Sequence, residues 1–126
     1  MLINLETEKS LEEVRRNLEE RAKAKGFGVM SVHEVSQILQ SKGVPINYGC
    51  VIVEVCSPRH ASQVLSAEPY ISTAMPCRIA LFEREGRTVL STMAPTAMLE
   101  MFNRPELKEV AEEVEKLLRE IMEESL

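Results

Sequence analysis

Cys50-Val51-Ile52-Val53-Glu54-Val55-Cys56, followed at once by Ser57 and Pro58, reads as a β-strand that runs directly into the start of a helix. Side chains alternate across a strand, so Val51, Val53 and Val55 share one face and Cys50, Ile52, Glu54 and Cys56 share the other. Both faces are mostly apolar, which predicts a strand inside a sheet rather than at its edge. Ser57 suits an N-cap, and Pro58 suits the first helical position, where its missing N–H costs nothing. Ala61, Val64 and Leu65 supply the inner face of that helix, and Glu68-Pro69 stops it. After a connection of unassigned shape over residues 69–76, Pro76-Cys77-Arg78 opens a second strand to Arg84. Glu85-Gly86 then turns the chain into a third strand, Thr88 to Met93.

Working outward, Leu2 to Leu5 predicts a short first strand. Ser10 and Glu13 have capping-box spacing, and Leu11, Val14, Leu18 and Ala22 then recur on one helical face up to Gly26. Phe27 to Val32 is strand-like. Ser31 and Glu34 form a second possible box, opening a short helix with Val35, Ile38 and Leu39 inward and Gly43 as terminator. Toward the C-terminus, Ala94-Pro95 breaks the third strand of the central region and a Met-rich segment, Thr96 to Phe102, follows. Asn103-Arg104-Pro105-Glu106 predicts the start of the last helix. Its inner positions, Leu107, Val110, Ala111, Val114, Leu117, Leu118, Ile121 and Met122, keep helical spacing over four turns. Glu112/Lys116 and Glu115/Arg119 are favourable pairs on its wet side. The expected fold is therefore α+β: one mainly antiparallel sheet with two long amphipathic helices packed on one face.

The 126 residues make one domain, 1–126, large enough to bury roughly two-thirds of the surface of the unfolded chain. No apolar run approaches the roughly 20 residues that cross a bilayer, and no basic region leads into an apolar stretch at the N-terminus. A cytoplasmic protein without membrane contact is expected. Net charge is −5 without a dense Lys/Arg cluster, and aromatics make up 4% with no Trp, which argues against nucleic acid as a partner. The three cysteines suit free thiols in a reducing compartment. Cys50 and Cys56 cannot bridge each other, because six strand residues separate them by about 20 Å and a disulfide needs Cα atoms within about 7 Å.

Cys56-Ser57-Pro58 with Ala61 and Leu65, then Pro76-Cys77, and then Pro95 with Met98 after the hairpin, resemble the signature blocks of the domain-of-unknown-function 302 family. The resemblance covers nearly the whole chain. It implies a curved, mainly antiparallel sheet similar to the TATA-box-binding-protein repeat, and it implies a homodimer. It implies no activity, and His60 lies outside the shared blocks.

The residues leave several chemistries open. Cys56 sits immediately before a helix N-cap, where backbone N–H groups and the helix dipole favour a thiolate. Were Cys77 beside it, the two could serve as a dithiol, carry sulfur or hold a soft metal, with Pro58, Pro76 and Arg78 around them. The competing reading is that both cysteines are small buried packing residues. Cys56, His60 and Cys77 supply three ligands where structural zinc wants four in paired short spacings, so no metal is assigned. Glu54 in its apolar strand either pairs with Arg78 or Arg84 across the sheet or, unpaired, is an acid or base with a raised pKa. Met93, Met98, Met101 and Phe102 form a patch expected at a dimer contact, or else lining the pocket of a small-molecule ligand. No Ser/His/Asp nucleophilic motif, phosphate-cradling Gly loop or dinucleotide fingerprint is legible, and no cofactor follows. The function expected is a homodimeric ligand-binding or thiol-handling protein using Cys56 and Cys77. The alternative is an interaction module without chemistry.

Overall fold

The computed structural model describes residues 1–126. Five strands form one open sheet: β1 (Leu2–Thr7), β2 (Gly28–His33), β3 (Cys50–Cys56), β4 (Cys77–Arg84) and β5 (Arg87–Met93). Their spatial order is β1-β5-β4-β3-β2, and every pairing is antiparallel. The strand Cys50–Cys56 is interior, between β2 and β4, as two apolar faces require. Glu85 and Gly86 both have positive φ, at 53° and 76°, which is the backbone of the tight turn that matches strand twist.

The helices are α1 (Leu11–Ala24), α2 (Val35–Ser41), α3 (Pro58–Ala67), α4 (Pro95–Glu100) and α5 (Lys108–Glu124). The long helices α1 and α5 bury their apolar stripes against one sheet face. Val14, Leu18 and Ala22 of α1 and Leu118, Ile121 and Met122 of α5 meet Val51, Val53, Val55, Ile79, Leu81 and Leu90 in a single core. Arg21 and Lys25 pair with Glu120 and Glu124 where the two helices run together. The Ser10 hydroxyl accepts from the Glu13 N–H at 3.2 Å, and Gly26 takes a φ of 83° just past the end of α1. On α5, Glu115 pairs with Arg119.

Two expectations fail at helix starts. Ser31 caps nothing: β2 continues to His33, and Ser31 pairs with Glu54 and His33 with Ile52 across to β3. Cross-strand pairing outcompetes the local cap, and α2 starts only at Val35, with none of its residues buried and Ile38 44% exposed. Near the C-terminus, Asn103 adopts a φ of 55° and Pro105–Leu107 makes a 3₁₀ turn, so α5 begins at Lys108 rather than at Pro105.

Candidate functional site

The segment between β3 and β4 does not lie flat on the core. Helix α3, followed by the 3₁₀ turn Pro69–Ala74, stands beside α5, and α4 stands on the other side. These walls leave an apolar cleft of about 90 Å³ open between them. Fifteen of its eighteen lining residues are hydrophobic, so what it offers a ligand is mainly exclusion from water. Val64 and Ile71 line it from the α3 side, Met98 and Phe102 from the α4 segment, and Val110 and Val114 from α5. Cys56, Ser57, His60 and Cys77 also line it and supply its thiol, hydroxyl and imidazole groups.

Both Cys56 and Cys77 therefore face one cavity. They arrive by different routes: Cys77 pairs with Val55 and shares its core-facing side, whereas Cys56 reaches the cleft from the last position of β3. The thiols are free. Burial pushes the Cys56 thiol up, and it pushes Cys77 up to about 11, with nearby Cys56 adding to the effect. Burial thus works against the thiolate expected at Cys56 from the helix start. No group of three or more His, Cys, Asp or Glu side chains is placed to hold a metal ion. Pro58 occupies the first turn of α3, and Pro76 follows a cis peptide bond at the entry to β4.

Glu54 and Arg78 lie away from the cleft, on the sheet face that carries neither α1 nor α5. They oppose each other in the β3–β4 register. Glu54 Oε2 accepts from Arg78 Nε at 3.1 Å, and Oε1 lies 3.1 Å from His33 Nε2. Hydrogen bonds from His33 and Arg78 hold the Glu54 carboxyl below its ordinary range. That is the opposite of the raised pKa a buried acid or base would need, so the acid/base reading of Glu54 is set aside. His33 was not foreseen as the second partner. The β2–β3 pairing brings it there, and that pairing was obscured by the false helix start at Ser31.

The Met-rich patch divides. Met98 and Phe102 turn into the cleft, while Met93 and Met101 are exposed, Met101 at 72%. The four side chains therefore do not form one continuous contact surface.

His60 is 4% exposed. Its Nδ1 lies 2.6 Å from Ser57 Oγ, and its Nε2 lies 3.4 Å from Glu113 Oε2 on α5. Ser57 sits at the N-cap position of α3, but its hydroxyl is engaged with His60 and caps no backbone N–H. A Ser–His–carboxylate line thus exists where none was legible. The Ser57–His60 spacing of three residues was readable as one face of a helical turn. Glu113, far along the chain, gave no such signal.

The chain matches the family model described as "Domain of unknown function DUF302" over residues 3–125. Comparison with curated proteins gives no match. The crystal structure of an uncharacterized conserved DUF302 protein from Bacillus stearothermophilus is similar to it throughout. Sequence identity is 31% and the TM-score 0.95, over 99% of this chain and 98% of that one. With the family model matching residues 3–125 and a fold shared over the whole chain with a DUF302 protein, the chain belongs to the DUF302 family.

Proposed function

We propose that this protein binds a small, predominantly apolar molecule in the cleft between α3, α4 and α5, with the thiols of Cys56 and Cys77 lining the site. The observation that carries the reading is the unfilled apolar volume itself. Protein interiors are normally packed to the density of organic crystals, and an opening walled by Val64, Met98, Phe102 and Val110 forfeits contacts that a ligand would restore. Its size narrows the ligand. The volume of about 90 Å³ is below the roughly 150 Å³ of an apolar cavity that takes benzene, so a short aliphatic chain fits better than a ring. The raised thiols favour binding over redox exchange, since exchange needs a thiolate.

The test is a titration of isotopically labelled protein with butanol and hexanol, followed by amide chemical shifts. Saturable shifts confined to residues 55–64, 71–77 and 95–114, abolished by Ala61→Phe, are the expected result. Shifts that never saturate, or that Ala61→Phe leaves in place, would count against the site. We also read the protein as a cytoplasmic homodimer. The exposed Leu2 and Met93, paired at the β1–β5 edge, are the surface assigned to the contact. Sedimentation of wild type and Met93→Glu tests that assignment: a dimer shifting to monomer supports it, and a monomeric wild type removes it.

A further inference from the structure

We infer that the cleft is also the acyl pocket of an esterase centre in which Ser57 is the nucleophile, His60 the general base and Glu113 a positioning residue. The inference rests on the reading of the cleft as a ligand site and names its ligand class: carboxylic esters of short, apolar acids.

Four observations converge. Ser57 Oγ is 2.6 Å from His60 Nδ1, within the range over which a base takes a hydroxyl proton. In the reacting tautomer the proton sits on Nε2, which lies 3.4 Å from Glu113 Oε2, and Nδ1 is free to accept from Ser57. Both Ser57 and His60 line the apolar cleft, so a substrate whose acyl chain fills that space brings its carbonyl to the hydroxyl. Because Ser57 makes no capping bond, the first turn of α3 lacks a side-chain acceptor for its N–H groups beside the reacting centre, where an oxyanion would develop. Arg59 modulates the outer end of the line. Its guanidinium lies 3.3 Å from Glu113 Oε1 and, as a donor only, 3.5 Å from His60 Nε2, a contact that must give way to Glu113 when Nε2 carries the proton. With Glu113 and Arg59 both largely in water, the carboxylate contributes orientation more than charge.

The steps balance without a co-reactant other than water. Ser57 Oγ bonds to the carbonyl carbon as its proton passes to His60 Nδ1, and the carbonyl oxygen becomes the oxyanion. Collapse breaks the carbon–oxygen bond to the alcohol, which leaves with the proton from Nδ1. Water then adds to the acyl-Ser57 carbonyl, giving its proton to Nδ1. The carboxylic acid departs as Ser57 Oγ takes that proton back.

The experiment uses the full-length protein with p-nitrophenyl butyrate and, separately, an alkyl fluorophosphonate followed by peptide mass spectrometry. Turnover above the buffer rate, loss of at least about a hundredfold in Ser57→Ala and a phosphonate adduct on Ser57 are expected. Ser57→Ala removes a half-buried hydroxyl that partners His60, and a thermal melt beside wild type checks that its fold persists. Glu113→Gln should lower kcat while leaving KM unchanged, because Glu113 does not line the cleft; a merely structural role would not separate the two. Absence of both turnover and label in the wild type, or full activity in Ser57→Ala, overturns the inference. If butanol still binds saturably in that case, the cleft reading survives and only the esterase falls; if butanol does not bind, both fall.

Discussion

Glu68 and Arg104 are joined by two hydrogen bonds, Nε and Nη2 of the guanidinium meeting Oε1 at 3.1 and 3.0 Å, with Glu68 Oε2 left to accept the Tyr70 N–H. One carboxylate thereby fixes the 3₁₀ turn after α3 to the segment after α4, which ties two walls of the cleft together. The Tyr70 N–H and Arg104 hold the Glu68 carboxyl below its ordinary range. A depressed folded-state pKa contributes stability that is complete above the unfolded value of about 4.3 and is lost as pH falls through the folded one. Urea midpoints of wild type should therefore drop more steeply below pH ~4.3 than those of Glu68→Gln. Parallel pH profiles for the two proteins would contradict the tie.

Cysteine reactivity follows from burial. Burial raises Cys50, Cys56 and Cys77, Cys77 to about 11. Alkylation of the native protein by iodoacetamide at pH 7 should run slower than that of a free cysteine at all three sites, with Cys77 slowest and still accelerating above pH 10. Any site that reacts faster than free cysteine at pH 7 would restore the thiolate reading for that site.

The core makes a contrast between two apolar side chains of similar size. Leu118 is fully buried between α5 and the sheet, so Leu118→Ala should cost about 2–5 kcal/mol by urea denaturation. Met101 is largely in solvent, and Met101→Ala should stay within about 0.5 kcal/mol. Equal costs at the two positions would mean that α5 is not seated as described.

On the face opposite the helices, Arg78→Ala should raise the Glu54 carboxyl pKa towards its ordinary range without fully restoring it, because His33 remains bonded to Oε1. Carboxyl-carbon NMR titration of the two proteins reads this directly. An unchanged Glu54 would assign its depression to His33 alone.

The legible parts of the fold were those where one signal acted without a rival. Val51, Val53 and Val55 share a face because strand alternation leaves no other arrangement, and Val14, Leu18 and Ala22 face the core because a helical stripe has one apolar side. Ser31 failed because the same residue served two patterns, and the pairing partner that decided between them, Glu54, lies in another strand. The site was legible in the same uneven way. Cys56 and Cys77 were singled out by position and do meet one cleft, but the cleft itself depends on how closely α3, α4 and α5 approach. No local pattern encodes that spacing. The thiol environment is a related case. A helix start can be read from Ser57-Pro58, whereas the desolvation that works against a thiolate there depends on what packs nearby. Position alone offers His60 as a third ligand, whereas its carboxylate neighbour Glu113 lies across the α3–α5 contact.

The most direct test of the central claim, that the apolar cleft is a ligand site, is a crystal structure of the protein under xenon pressure, since xenon enters dry apolar cavities without polar contacts. A xenon atom among Val64, Met98 and Val110 is predicted. A closed cleft with those side chains in mutual contact and no xenon between them would contradict the account.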